Sequence, residues 1–351
     1  MGHTILHWIG DEAVLIGFVA GFPTWLLLIL IVFCIMVLSR GADVMIGGAV
    51  HLARRTGLPH IVIGATIVSL GTTMPEAFIS VMAAWMGNPG LALGNGIGSI
   101  IADTGLIFGL SCMLTIMPVN RFILNRTGWV QVGSATLLVV ISLILMVTME
   151  GRIILGRWVG FLFLILLVGY LYITYTWARQ GAFPEKNKKP DSSPVGLVPA
   201  SFMVAGGLFF VILAARILIP CAAEIATRIG VPEDVVAATM VALGTSLPEL
   251  MTAIAAVRKG HPEISVGNIV GADVLNCLFV IGAAAAAKPL AIPINFFVFH
   301  FPTMLLILFS FRFFIFINTD GQFKRRQGAW LFGIYLIYVV LQYTMNIGTA
   351  V

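Results

Sequence analysis

The sequence predicts an all-α integral membrane protein, with ten transmembrane helices arranged as two inverted repeats of five. Three observations carry that prediction. Of the 351 residues, 59% are hydrophobic and only 10% charged, outside the balance a soluble domain keeps. Apolar runs near the roughly 20 residues a helix needs to cross about 30 Å of hydrocarbon recur along the whole chain. The chain also matches itself, without a gap, at a shift of 173 positions.

The apolar runs fall at about 24–50, 58–86, 90–117, 128–148, 154–178, 197–228, 232–258, 263–286, 291–316 and 327–347. Their periodicity is helical rather than alternating, and a helix satisfies its own backbone within lipid. Residues 1–23 read as an uncleaved N-terminal tail, because Asp11 and Glu12 interrupt the apolar stretch and no Lys or Arg precedes it as in a signal peptide. The first repeat covers 24–178, a linker 179–195 and the second repeat 196–351.

Orientation follows from the loop charges. With the N-terminus outside, thirteen Lys and Arg residues, among them Arg54, Arg55, Lys188, Lys189, Arg258 and Lys259, face the cytoplasm, against only Arg152, Arg157, Arg228 and Lys288 on the other side. By the positive-inside rule this predicts a multi-pass protein of the cell membrane with both termini external and 179–194 cytoplasmic. That linker is too short to fold as a regulatory module. The net charge of +5 is scattered over loops rather than gathered on one face, which argues against nucleic acid. The lipid bilayer is the expected partner, and a monomer is compatible with the layout. Cys34, Cys112, Cys221 and Cys277 lie in spans without CxxC spacing and read as packing residues. His51, His60 and His261 fall at span ends and His3, His7 and His300 stand isolated, so neither a zinc cluster nor a cofactor is expected.

The self-match aligns GATIVSLGTTMPEAFISVMAAWMGNPGLALGNGIGSIIADTGLIFG at 64–109 with AATMVALGTSLPELMTAIAAVRKGHPEISVGNIVGADVLNCLFVIG at 237–282, with fifteen of forty-six positions identical. Asn95/Asn268, Gly98/Gly271 and Glu76/Glu249 are among the matches. Five spans per copy is an odd number, so the second copy enters the membrane upside down. Such repeats place a substrate site near the midplane, between the halves.

Glu76 and Glu249 lie well inside apolar segments, where a carboxylate costs about 2.5–3.5 kcal/mol even on the lenient insertion scale. Neither segment offers a Lys or Arg at helical spacing, so a bound cation is the natural partner. Pro75 and Pro248 precede the glutamates, lack a backbone N–H and push against the carbonyls of Gly71 and Gly244, so each helix should break there. Freed carbonyls and the hydroxyls of Thr72, Thr73, Thr245 and Ser246 then supply hard oxygen ligands, which calcium and sodium select. In the following span Ser99 and Asp103 share a helix face, and Asp103 joins the site; their counterparts are Ala272 and Asn276. Asp273 is a further membrane acid on an adjoining face and a weaker candidate for touching an ion. Gly94, Gly96, Gly98, Gly267 and Gly271 thin these helices for close packing. Arg40 and Asp43, at i, i+3 spacing, suggest a structural ion pair or snorkelling.

GTTMPE at 71–76 and GTSLPE at 244–249, followed by GNGIGSIIAD at 94–103 and GNIVGADVLN at 267–276, resemble the alpha repeats of the sodium/calcium exchanger family. The short linker looks like the prokaryotic members. The resemblance implies a calcium antiporter whose two repeat glutamates, Glu76 and Glu249, bind calcium, with sodium sites formed by hydroxyls, carbonyls and the same carboxylates. It implies that Thr72, Thr245, Thr73 and Ser246 match hydroxyl or carbonyl ligands, that Ser69 and Ala242 lend carbonyls, that Ser99 lends a hydroxyl, and that Asp103 and Asn276 fill the paired Asn/Asp positions. The chain departs from the pattern at Ala272, where a ligand serine is expected, at Ile100, and at Arg216, where an acid often stands.

The expected function is therefore Ca2+ for Na+ antiport by alternating access at a midplane acidic site. Proton coupling, with Glu76, Glu249 or Asp103 as carrier, is the alternative within transport. A cation channel is the alternative from another class, although channels typically ring their acids about an open axis. No Ser/His, Cys/His or HExxH arrangement points to an enzyme.

Overall fold

The computed structural model describes residues 18–56, 58–119, 121–148, 153–180, 195–229, 246–318 and 320–344, and these are helical almost throughout. The helices are α1 (Thr24–Thr56), α2 (His60–Thr72), α3 (Met74–Met86), α4 (Pro89–Leu114), α5 (Arg121–Thr148), α6 (Arg157–Gln180), α7 (Leu197–Arg228), α8 (Leu247–Arg258), α9 (Pro262–Ala287), α10 (Phe296–Ile317) and α11 (Arg325–Thr344). Among the described residues seven helices are long and apolar enough to cross a membrane, or eight if the bent pair α2 and α3 counts as one span. The tail before residue 18, the linker at 181–194 and the stretch 230–245 lie outside the described residues.

Burial runs inside out relative to a soluble protein. In α1, α6 and α7 only 28% of the apolar stretch is buried, against 72% in α4 and 83% in α9. The outer helices show Trp25, Trp158 and Phe202 to their surroundings, which costs nothing where the solvent is hydrocarbon. The centre holds the polar side chains instead: Ser69, Thr72, Glu76, Asp103, Glu249 and Asn276 are all buried.

Close helix contacts fix the arrangement. Helices α1 and α7 run antiparallel, with Gly41 against Gly207 and Gly48 against Ala200; a Cβ at Gly48 would stand 2.7 Å from the Ala200 carbonyl oxygen. Helices α2 and α9 run parallel and closer still, since a Cβ at Gly267 would stand 2.0 Å from the Ile61 oxygen and one at Gly64 2.3 Å from the Ile264 oxygen. Such backbone approach is what small residues permit within a membrane. Helix α11 covers α4 where Gly109 meets Gly328, and α6 covers α9 where Gly160 meets Gly282. A short antiparallel pairing of β1 (Ile154–Leu155) with β2 (Leu290–Ala291) ties two of the loops.

The two central units share local devices. Helices α3 and α8 both end in a left-handed glycine, Gly87 at φ 86° and Gly260 at φ 74°. In each, the next residue's N–H reaches back to the third-last carbonyl, Asn88 to Ala83 and His261 to Ala256, a Schellman ending. Pro89 and Pro262 then open the next helix, where a missing N–H costs nothing. Helix α4 loosens into π-helical turns at Ala102–Phe108 and α9 does so at Asn276–Ile281, which are equivalent places under the 173-residue shift.

Candidate functional site

The break before Glu76 stands where proline requires it. Helix α2 ends at Thr72, Thr73 takes φ −83° and ψ −6°, and α3 leaves at 41° to α2 with Pro75 in its first turn. The Gly71 carbonyl, denied its usual partner by Pro75, accepts a backbone N–H at the cap, so it is not left bare as expected. In the second unit Ser246, at φ −84° and ψ 4°, precedes α8, with Pro248 in its first turn. Glu76 and Glu249 therefore open helices, each at a positive dipole end that favours negative charge.

Two asparagines fasten these half-helices. Asn95 of α4 donates to the Glu76 carbonyl at 3.1 Å and to Ser80 Oγ at 2.9 Å. Asn268 of α9 donates to Thr252 Oγ1 at 3.2 Å, and Thr252 in turn donates to the Glu249 carbonyl at 2.9 Å. Asn268 also meets the other unit, accepting from Thr72 Oγ1 at 3.5 Å.

The carboxylates sit within electrostatic reach of one another: Glu76 with Asp103, Asp103 with Glu249, and Glu249 with Glu76. The Thr72 hydroxyl stands beside Glu249 and Ser246 beside Asp103. Asn276 donates to Asp103 Oδ2 at 3.3 Å, joining two residues 173 positions apart. In these residues, seven buried oxygens take part in no hydrogen bond among the described residues: both of Glu76, Glu249 Oε2, Asp103 Oδ1, Asn276 Oδ1, Thr73 Oγ1 and Ser246 Oγ. Such groups are costly unless something positive meets them. Arg216 of α7 is within electrostatic reach of Glu76.

Of the residues singled out in the sequence, Thr72, Glu76, Asp103, Ser246, Glu249 and Asn276 come together in this centre, and Ser69, Thr73 and Ser99 are buried as well. Ala242 and Thr245 lie outside the described residues. Asp273 is buried one helical turn away and is held by Thr104 and by Gln131, whose Nε2 donates at 2.6 Å. Asn95 and Asn268 are not among the ligand candidates read from the sequence, although their identity in both copies is the signal that marks them. Arg40 and Asp43 do not form the ion pair their spacing suggests; Arg40 is exposed on α1 while Asp43 is half-buried. The histidines at span ends are not all separate. Parallel packing of α2 on α9 brings His60 and His261 together edge to face, with ring centroids 4.6 Å apart.

The family model described as sodium/calcium exchanger protein matches residues 26–176 and 200–344. The chain belongs to the sodium/calcium exchanger protein family. It is 30% identical over 324 residues to inner membrane protein YrbG of Escherichia coli (strain K12), a match covering 90% of this chain and 97% of that one. Sodium/calcium exchanger MaX1 of Methanosarcina acetivorans is 27% identical over 336 residues, covering 87% and 95%. Among solved structures, the sodium-calcium exchanger NCX_Mj soaked with 10 mM Na+ and zero Ca2+ superposes with a TM-score of 0.76 at 25% identity, over 91% of this chain and 99% of that one. The likeness to this exchanger takes in both stretches that the family model matches.

Proposed function

We propose that the chain is an antiporter that exchanges Ca2+ for Na+ by alternating access at a midplane site built on Glu76, Glu249 and Asp103. The observation that carries this reading is the set of three buried carboxylates, each with an oxygen that takes part in no hydrogen bond among the described residues. Three negative charges in mutual range do not coexist in a low-dielectric interior without positive charge. Oxygen-only donors at this density suit calcium, which takes 6–8 oxygen ligands, as they suit sodium. Thr72, Thr73, Thr245, Ser246, Ser99 and Asn276 complete the proposed ligand set, with carbonyls from Ser69 and Ala242. Asp273, already held by two donors, orders the shell behind it.

The inverted repeat, with units 24–178 and 196–351, gives the site its two access routes. Antiparallel α1 and α7, matching Schellman endings and matching π-helical turns support it. The Asp103 to Asn276 bond supports it further, because equivalent residues of two copies touch only on the axis that relates them. With both termini external and the 179–194 linker cytoplasmic, the ends of α2 and α9 at His60 and His261 lie toward the cytoplasm.

Calcium uptake into vesicles against an outward sodium gradient tests this reading. Glu76→Gln or Glu249→Gln removes one of the charges a divalent ion needs, and breaking a buried charge pair costs about 3–5 kcal/mol, so uptake falls by more than two orders of magnitude at matched insertion. Near-normal uptake in either variant overturns the acidic site. Ala272, buried where the other unit offers Ser99, favours a second reading in which a proton replaces one sodium ion. Flux that follows a pH gradient in the absence of sodium would establish that reading.

A further inference from the structure

We propose that His60, His261 and Glu263 form a second cation site, for a borderline transition metal such as Zn2+, that clips the two units together at one end of α2 and α9. Their ligand atoms all lie within 4.8 Å of one another. His60 and His261 are buried, at 6% and 8% exposure. Glu263 Oε2 is buried too and accepts no hydrogen bond among the described residues. Two imidazoles and one carboxylate form a tetrahedral set with one open position for water. Metal–ligand bonds of about 2.0–2.2 Å put such ligands about 3.3–3.6 Å apart, so side-chain movements of up to about 1.5 Å close the site. Imidazole does not suit calcium, which takes oxygen ligands. This site is therefore chemically distinct from the carboxylate centre.

A break in the repeat symmetry points the same way. Position 261 is equivalent to Asn88, which caps α4 by accepting the Leu91 N–H at 3.1 Å. The backbone turn is the same in the second unit, but His261 gives α9 no side-chain cap. The second unit has given up a cap, worth about 1 kcal/mol in a helix, and placed an imidazole there facing His60 of the other unit. Glu263 likewise stands where the first unit has Gly90. Both changes add a metal-ligating group at the same spot.

The position gives the clip its consequence. His60 begins the helix that ends at Thr72, and His261 and Glu263 begin the helix that carries Asn268 and Asn276. A metal there fixes the register of two helices already in backbone contact at Gly64 and Gly267.

The test uses the full chain, purified in detergent, with Co2+ as a spectroscopic probe and Zn2+ as competitor. The expected result is one tetrahedral or five-coordinate Co2+ per chain, displaced by Zn2+, with a higher melting temperature on Zn2+ addition. His60→Ala and His261→Ala should each weaken binding by more than the 10–100-fold typical of losing an outer-shell partner, and Glu263→Gln should weaken it less. Calcium flux in the same variants reports that they are folded. An octahedral, aqueous Co2+ spectrum with wild-type protein overturns the proposal without recourse to any variant. So does binding that is equally tight in the His60→Ala/His261→Ala double variant.

Discussion

Gly98 and Gly271 occupy equivalent positions in the two units, and the same substitution should have opposite effects on them. At Gly98 a new Cβ meets nothing within 4 Å, whereas at Gly271 it lands 2.5 Å from the Ala65 oxygen and 2.6 Å from Ser69 Oγ. Ordinary contact begins at 3.4 Å, so Gly271→Ala is short by about 0.9 Å, and the obstacle is backbone that no side-chain rotation removes. Overpacking of this kind costs about 1–3 kcal/mol, here toward the upper end. Replacing a helical glycine by alanine returns about 0.8–1.0 kcal/mol. The net expectation is a loss of about 2 kcal/mol for Gly271→Ala and a gain of up to about 1 kcal/mol for Gly98→Ala. At about 2 °C per kcal/mol for a chain of this size, the two variants should melt about 6 °C apart at one scan rate. Calcium flux should fall only in Gly271→Ala, because separating α9 from α2 displaces Ser69 and the turn that holds Thr72 and Glu76. Variants that melt within a degree of each other, or full flux in Gly271→Ala, would refute this account of the helix crossing.

Three further expectations follow from the site. Asp103→Asn should lower calcium affinity at least tenfold, about 1.4 kcal/mol, while the double exchange Asp103→Asn/Asn276→Asp keeps one acid and one amide at the same spot and should recover most of the loss in a flux titration. Asn95→Ala strips the Glu76 carbonyl and Ser80 of a donor and should cost about 1–3 kcal/mol of stability, read by thermal melting, with calcium flux lost in proportion to the folded fraction. Ala272→Ser restores an oxygen opposite Ser99, so sodium activation of calcium flux should become tighter or steeper; an unchanged curve in a well-inserted variant counts against a role for that position.

Much of this was legible in the sequence because hydropathy, prolines and repetition are local signals. Pro75 announces the helix break before Glu76, and the two TxPE copies announce the acids. What stayed hidden depends on which helices lie side by side. Nothing near Asn95 in sequence says that it reaches Glu76, and Asp273 gives no hint of Thr104 or Gln131. His60 and His261 meet only because glycines let α2 and α9 approach in parallel. Spacing alone also misled: Arg40 and Asp43 are i, i+3 neighbours, but the spacing does not say which side of α1 faces the surroundings.

A side chain on an axis of symmetry has its own counterpart for a neighbour. If the two halves were identical, as in a pair of separate half-length chains, an acid at position 103 would face the same acid, and an amide would face an amide. The first arrangement sets two like charges at hydrogen-bond distance, and the second leaves the centre without a charge. Joining the halves in one polypeptide lets the two positions differ, so that an amide donates to an acid, as Asn276 does to Asp103. In the proposed inverted repeat, joining the halves would thus allow a single charge at the one place where strict symmetry permits only none or two.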